Sequence, residues 1–191
     1  MSGDRISGAL DFLREAERLK STLRSGYTST GRPESTAEHT WRLCLMALVF
    51  SDEFENIDLL RLIKLCIVHD LGEALSGDIP AVLQTEGSGK SAQERADLEV
   101  LTKTLRLTKR AEILALWEEY EAASSPEAIL AKGLDKLETI LQHNQGQNPA
   151  SFDYAFNLGY GRKQTAAHPV LAEIRAILDQ ETRERAEGSR G

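Results

Sequence analysis

Apolar residues recur at three- and four-residue spacing through nearly every periodic stretch of this chain, and alternating β-branched runs are few. That is the helical period, which collects side chains three and four apart on one face and leaves little for strands to build on. An all-α fold is therefore expected. A first helix is predicted over about residues 4–23, with Ile6, Leu10, Leu13, Ala16 and Leu19 on one stripe. A polar loop, SGYTSTGRP, follows it. Ser35-Thr36-Ala37-Glu38 then has the form of a capping box, which starts a second helix running to about Ser51 and puts His39 in its first turn. A third helix is predicted from about Asn56 to Ala74, carrying Leu59, Leu60, Ile63, Cys66 and Ile67.

Gly77, Pro80, Gly87 and Gly89 mark residues 75–90 as a loop, with one helical turn expected at PAVLQ. Further helices are predicted over about 91–106, 108–123 and 126–145, the last burying Ile129, Leu130, Leu134, Leu137, Ile140 and Leu141, and a final one begins after Pro169. The charged tail ETRERAEGSRG, about 181–191, is expected to fray. No repeat, linker or low-complexity segment divides the chain, so residues 1–191 are read as a single domain.

Composition narrows the function. A chain of 191 residues, 41% hydrophobic and 28% charged, has enough apolar side chain for one compact core. No apolar run approaches the roughly 20 residues that span a bilayer, and MSGDRISGAL lacks a signal-peptide core. A cytoplasmic protein is expected, with no membrane partner. Cys44 and Cys66 lie on apolar helical stretches, belong to no CxxC or CxxH pair, and are read as reduced core residues. The formal charge of −7 repels a nucleic-acid polymer, and no basic stripe interleaved with aromatics offsets it. A small phosphorylated ligand stays compatible, because one bound cation and a few arginines reverse the sign locally.

His69-Asp70 ends the most apolar stretch of the chain, LLRLIKLCIVHD, where an unpaired imidazole and carboxylate are costly to bury. A lone His-Asp pair is more often a satisfied core pair than a metal site. Here it has company. His39 starts the preceding long helix, and Asp135 stands beside the apolar stripe of a much later one, within AKGLDKLE. Two imidazoles and two carboxylates from three helices make a mixed nitrogen and oxygen set of the kind helical bundles use for metals. Spacing alone leaves Asp135 open between that role and a solvated carboxylate on a helix flank.

The order His39, His69-Asp70, Asp135 resembles the H…HD…D signature of the HD-domain metal-dependent phosphohydrolases. The flanking words RPESTAEHTWR, HDLGEALSGDIP and LDKLE look like the branch that contains the bacterial 5′-deoxynucleotidases and their small eukaryotic relatives. The likeness covers about residues 10–160. It implies a single HD-domain helical bundle with one divalent cation on His39, His69, Asp70 and Asp135. Imidazole and carboxylate together suit Mn, Fe, Co, Ni or Zn, and affinity order does not choose among them.

The resemblance also puts Glu73 and Asp78 at the active site, one to orient or deprotonate water and the other to protonate the departing sugar oxygen or hold the water shell. It matches Arg24 and Tyr27 to substrate residues, Arg24 as a phosphate clamp and Tyr27 stacking on base or sugar. Ser25 departs from the bacterial deoxynucleotidases, which have tryptophan directly after the arginine. Glu38 is read as a cap, and His143 and His168 as lying off the metal. The implied reaction is hydrolysis of a nucleoside 5′-monophosphate with a deoxyribose preference, by a homodimer. Rival readings are an HD-type hydrolase of triphosphates or alarmones, a di-iron oxygenase for which extra histidines are short, and a non-catalytic nucleotide-binding module.

Overall fold

The structure, a computed structural model, describes residues 2–80 and 89–188. Its helices are α1 (Ser2–Ala16), α2 (Thr36–Val49), α3 (Leu59–Val68), α4 (Glu73–Ser76), α5 (Lys90–Leu101), α6 (Leu107–Ala122), α7 (Pro126–Gln145), α8 (Tyr154–Asn157), α9 (Arg162–Thr165) and α10 (Pro169–Gly188). The all-α expectation holds with one small exception. Leu23–Tyr27 (β1) and Pro33–Ser35 (β2) pair antiparallel, Leu23 opposite Ser35 and Tyr27 opposite Pro33, where the sequence reads as loop. The hairpin closes because Thr28 N–H donates to Arg32 O at 2.7 Å while Gly31 takes φ +79°, a conformation open to glycine. A motif of so few residues carries too little alternation to register as strand. Among the described residues, no helix is long and apolar enough to cross a membrane.

The core forms around α7. Ser125 caps it by accepting from Ala128 N–H at 3.1 Å, Pro126 occupies its first turn, and Leu130, Leu134, Leu137 and Ile140 are buried along it. Helices α2, α3, α6 and α10 pack on it. Gly133 leaves room for α10, since a Cβ there would stand 2.3 Å from Leu171 Cδ1. The expected capping box opens α2, with Ser35 accepting from Glu38 N–H and the Glu38 carboxylate accepting from Ser35 N–H at 2.9 Å.

Several boundaries differ from the sequence reading. The first helix stops at Ala16 and gives way to a 3₁₀ turn, Glu17–Lys20, and its stripe is largely at the surface: Ile6, Leu10 and Leu13 are exposed, and Leu19 alone of the five is buried. Helix α1 docks through Gly8 instead, whose missing Cβ lets Thr104 O approach. The third helix ends at Val68, because the chain tightens into turns with Leu71 N–H donating to Val68 O and Glu73 N–H to Asp70 O. Between Gln145 and Pro169, α8 and α9 form where no helix is predicted. The expected turn at PAVLQ falls on residues outside those described, beyond Pro80. The charged tail, expected to fray, is helical to Gly188, with Thr182 buried against Asn144. Cys66 is buried, Cys44 half-buried, and both are free thiols.

Candidate metal centre

Each element that carries a candidate donor is fixed by a local device. The capping box sets the first turn of α2 and hence His39; the turns after Val68 set His69 and Asp70; α7 carries Asp135 on a flank beside its buried stripe. Together they bring four donors into one small space. His39 Nε2 lies 3.3 Å from His69 Nε2, 3.2 Å from Asp135 Oδ1 and 3.8 Å from Asp70 Oδ2, while His69 Nε2 lies 2.9 Å from Asp70 Oδ2 and 4.0 Å from Asp135 Oδ1.

Both imidazoles are oriented from behind. His69 Nδ1–H donates to Cys66 O at 2.7 Å, and His39 Nδ1–H donates to the Glu138 carboxylate, which Arg42 Nε also holds at 2.7 Å. Those bonds place a proton on each Nδ1 and turn each Nε2 into the cluster, the usual support for a metal-binding histidine. His39, His69 and Asp70 offer donor atoms that all lie within 4.8 Å of one another, a chemistry and spacing that fit one divalent ion, and Asp135 stands beside both imidazoles.

Electrostatics point the same way. Burial and Arg24 lower the pKa of His39, but Glu138 and Asp135 outweigh them and push it up to about 10. Burial opposes ionisation of Asp70, yet His69, His39 and Arg24 hold its carboxyl below the usual range; Lys136 and the two histidines do the same for Asp135. The carboxylates thus draw a proton onto His39, a positive charge that a cation supplies in another form.

Asp70 and Asp135 of the cluster line a cleft of about 800 Å³. Arg24, at the start of β1, lines it and is held by Thr139 Oγ1 at 3.0 Å, Glu34 at 3.5 Å and Asp70 at 3.5 Å. Tyr27 lines it from the end of β1, and Ser25 between them. Glu73 is buried beside it, with Lys90 Nζ at 3.4 Å and Thr36 Oγ1 at 3.4 Å from its carboxylate. Glu73 starts a separate short helix after the turn that carries Asp70, so the two reach the cleft from turn and helix start and not as neighbours on one helical face. Burial and the Asp70 and Asp78 carboxylates push Glu73 up to about 9 against Lys90 and Arg24. Gly77, at φ +84°, turns the chain so that half-buried Asp78 also faces the cleft.

All eight residues singled out in the sequence thus border one cluster or its cleft. Glu38 is bound in its cap and to Arg32 at 3.0 Å. His143 stands in the cleft wall, outside the four-donor cluster, and His168 packs edge-on to Phe54. Sequence reasoning missed Glu138, whose only signal is its place three residues after Asp135 on a buried helix face. It also missed Lys90, Lys132 and Lys136 around the donors, and the aromatic wall from Phe152 to Tyr160.

The chain is similar to known proteins over most of its length. The HD-domain family model matches residues 16–175. The 5′-deoxynucleotidase HDDC2 of Homo sapiens is 38% identical over 186 residues, covering 94% of this chain and 89% of that protein. Its Bos taurus counterpart is 34% identical over 187 residues, covering 95% and 89%. Among solved structures, a predicted metal-dependent phosphohydrolase from Magnetospirillum magnetotacticum MS-1 superposes with a TM-score of 0.80 at 27% identity, covering 96% of this chain and 98% of that one.

Proposed function

The chain belongs to the HD-domain family, and from that premise we propose that it is a metal-dependent phosphohydrolase converting deoxynucleoside 5′-monophosphates to nucleoside and inorganic phosphate. One observation carries the reading: the Nε2 atoms of His39 and His69 each stand within 4.0 Å of both the Asp70 and Asp135 carboxylates, which line a cleft that also holds Arg24 and two further acids. His39, His69, Asp70 and Asp135 hold the cation. Bound there, a divalent ion supplies Lewis-acid polarisation of the phosphoryl group and an acidified water.

The remaining residues act around it. Arg24, braced by Thr139 and Glu34, presents fixed positive charge to the phosphate, and Lys90 and Lys136 add to it. Glu73 carries a proton at neutral pH, which suits it to protonate the departing 5′-oxygen, while Asp78, half-exposed at the cleft edge, suits water orientation. Tyr27 lies against the sugar or base. The size of the cleft fits a nucleoside monophosphate, and its aromatic wall fits a base.

A homodimer is part of the proposal. Leu45, Val49 and Ile177 stand exposed around an apolar groove of about 580 Å³ between α2 and α10. The deciding experiment measures phosphate release from ribo- and deoxyribonucleoside mono-, di- and triphosphates, with each metal added back to chelated protein. The 5′-monophosphates should be cleaved, and 3′-monophosphates and triphosphates largely spared; pyrophosphate or triphosphate as the main product rejects the assignment.

A further inference from the structure

Asp135, Thr139 and His143 follow one another at four-residue spacing on one face of α7, and all three line the cleft. At the helical rise, His143 lies roughly 12 Å along the axis beyond Asp135. A 5′-phosphate at the Asp135 end therefore puts His143 beyond the sugar, whose 3-hydroxyl stays close to the 5-carbon, and level with the base.

The chemistry there is half-finished. The Asn157 amide oxygen only accepts, so its 3.0 Å contact with His143 Nδ1 makes that nitrogen the donor and leaves His143 Nε2 a bare lone pair. Among the described residues none hydrogen-bonds to it. Asn157 itself is fully buried, and its Nδ2 has no partner. Buried polar atoms are nearly always paired, and an orphan donor in a cleft wall is a place for a ligand to complete.

The backbone around Asn157 is held as well. Arg175 of α10, itself buried, donates to Asn157 O at 2.7 Å, Leu158 O at 3.1 Å and Tyr160 O at 2.6 Å, clamping the backbone that carries it. Aromatic rings flank the pair: Phe152 meets His143 edge-on with centroids 4.8 Å apart, and Phe156 stacks on Tyr160 at 5.6 Å.

We infer that Asn157 and His143 form a nucleobase subsite, Asn157 Nδ2 donating to a ring carbonyl or ring nitrogen while His143 Nε2 accepts from the neighbouring N–H, with the base against Phe152 and Phe156. This rests on the reading of the cleft as a nucleoside 5′-monophosphate site. Every common base offers a donor beside an acceptor on its pairing edge. The subsite therefore distinguishes the presence of a base more sharply than its identity.

The test compares kcat/KM for the four deoxynucleoside 5′-monophosphates with that for 2-deoxyribose 5-phosphate, which keeps the phosphate, sugar and 3-hydroxyl but has no base. Wild type, Asn157→Ala and Asn157→Asp are measured; the aspartate is near-isosteric, still accepts from His143 and lacks the donor, so it serves where alanine fails to fold. The nucleotide-to-sugar-phosphate ratio should fall by about tenfold or more in the variants, chiefly through KM. An unchanged ratio, with equal losses on both substrates, overturns the subsite and leaves Asn157 a structural or sugar-reading role. Titration of the metal-loaded protein with free 2′-deoxynucleosides, followed by NMR, decides the point apart from catalysis. Weaker binding to Asn157→Asp than to wild type supports the subsite even where no phosphate is released, and equal binding, or none by wild type, overturns it.

Discussion

His39 shows how much one residue's surroundings dictate. With Glu138 behind it and Asp135 before it, the imidazole holds its proton up to about pH 10 when no cation is present. Metal binding needs the Nε2 lone pair, so at neutral pH that proton must leave. Affinity should therefore rise with pH below 10, by about tenfold per unit for each proton released. Calorimetric titration of metal into chelated protein, in buffers of differing ionisation enthalpy, should show release of about one proton; none released means that His39 is neutral beforehand. Asp70 and Glu73 should separate along the same line. Asp70→Ala removes a donor from the cluster, so metal content and activity should fall together. Glu73→Ala should keep the ion and lose roughly 10² to 10⁴ in rate, the span of a general acid or base. Near-normal turnover at full occupancy would transfer the proton-moving role to Asp78, and loss of the ion would move Glu73 into the donor set.

At the scale of elements, α10 supports the cleft it does not line. Arg175 clamps the loop between α8 and α9 and pairs with buried Asp179 at 2.6 Å. Arg175→Ala removes every one of these donors from a buried place and should cost about 3 kcal/mol, read from urea unfolding. A cost below 1 kcal/mol would mean that water replaces the guanidinium. This arrangement is where sequence reading stopped. The capping box, the long stripe of α7 and the His-Asp pair were legible because each is a local pattern of a few residues at fixed spacing. The wall from Phe152 to Tyr160 was not, since its short helices depend on an arginine eighteen residues beyond Asn157. Glu138 was hidden for a similar reason: an acid on a helix reads as solvated until the histidine of another helix is seen to face it. The hairpin before α2 was hidden by its brevity, although it positions Arg24 and Tyr27.

The whole molecule has two faces of α2 to account for. One buries His39, Leu43 and Ala47 toward the core, while Leu45, Leu48 and Val49 remain exposed, with Ile177 of α10 across the groove. Exposed apolar side chains gathered on two adjacent helices are the composition of an interface core more than of a free surface. The proposed homodimer buries this groove, and its consequence reaches the metal, because α2 would be held from both sides. Wild-type protein should therefore run as a dimer in light scattering at micromolar concentration. Val49→Glu combined with Ile177→Glu places like charges across the groove and should yield a monomer with the metal still bound, since neither side chain belongs to the four-donor cluster. A wild type that is already monomeric leaves the groove without a second copy; a dimer that survives both glutamates locates its interface elsewhere.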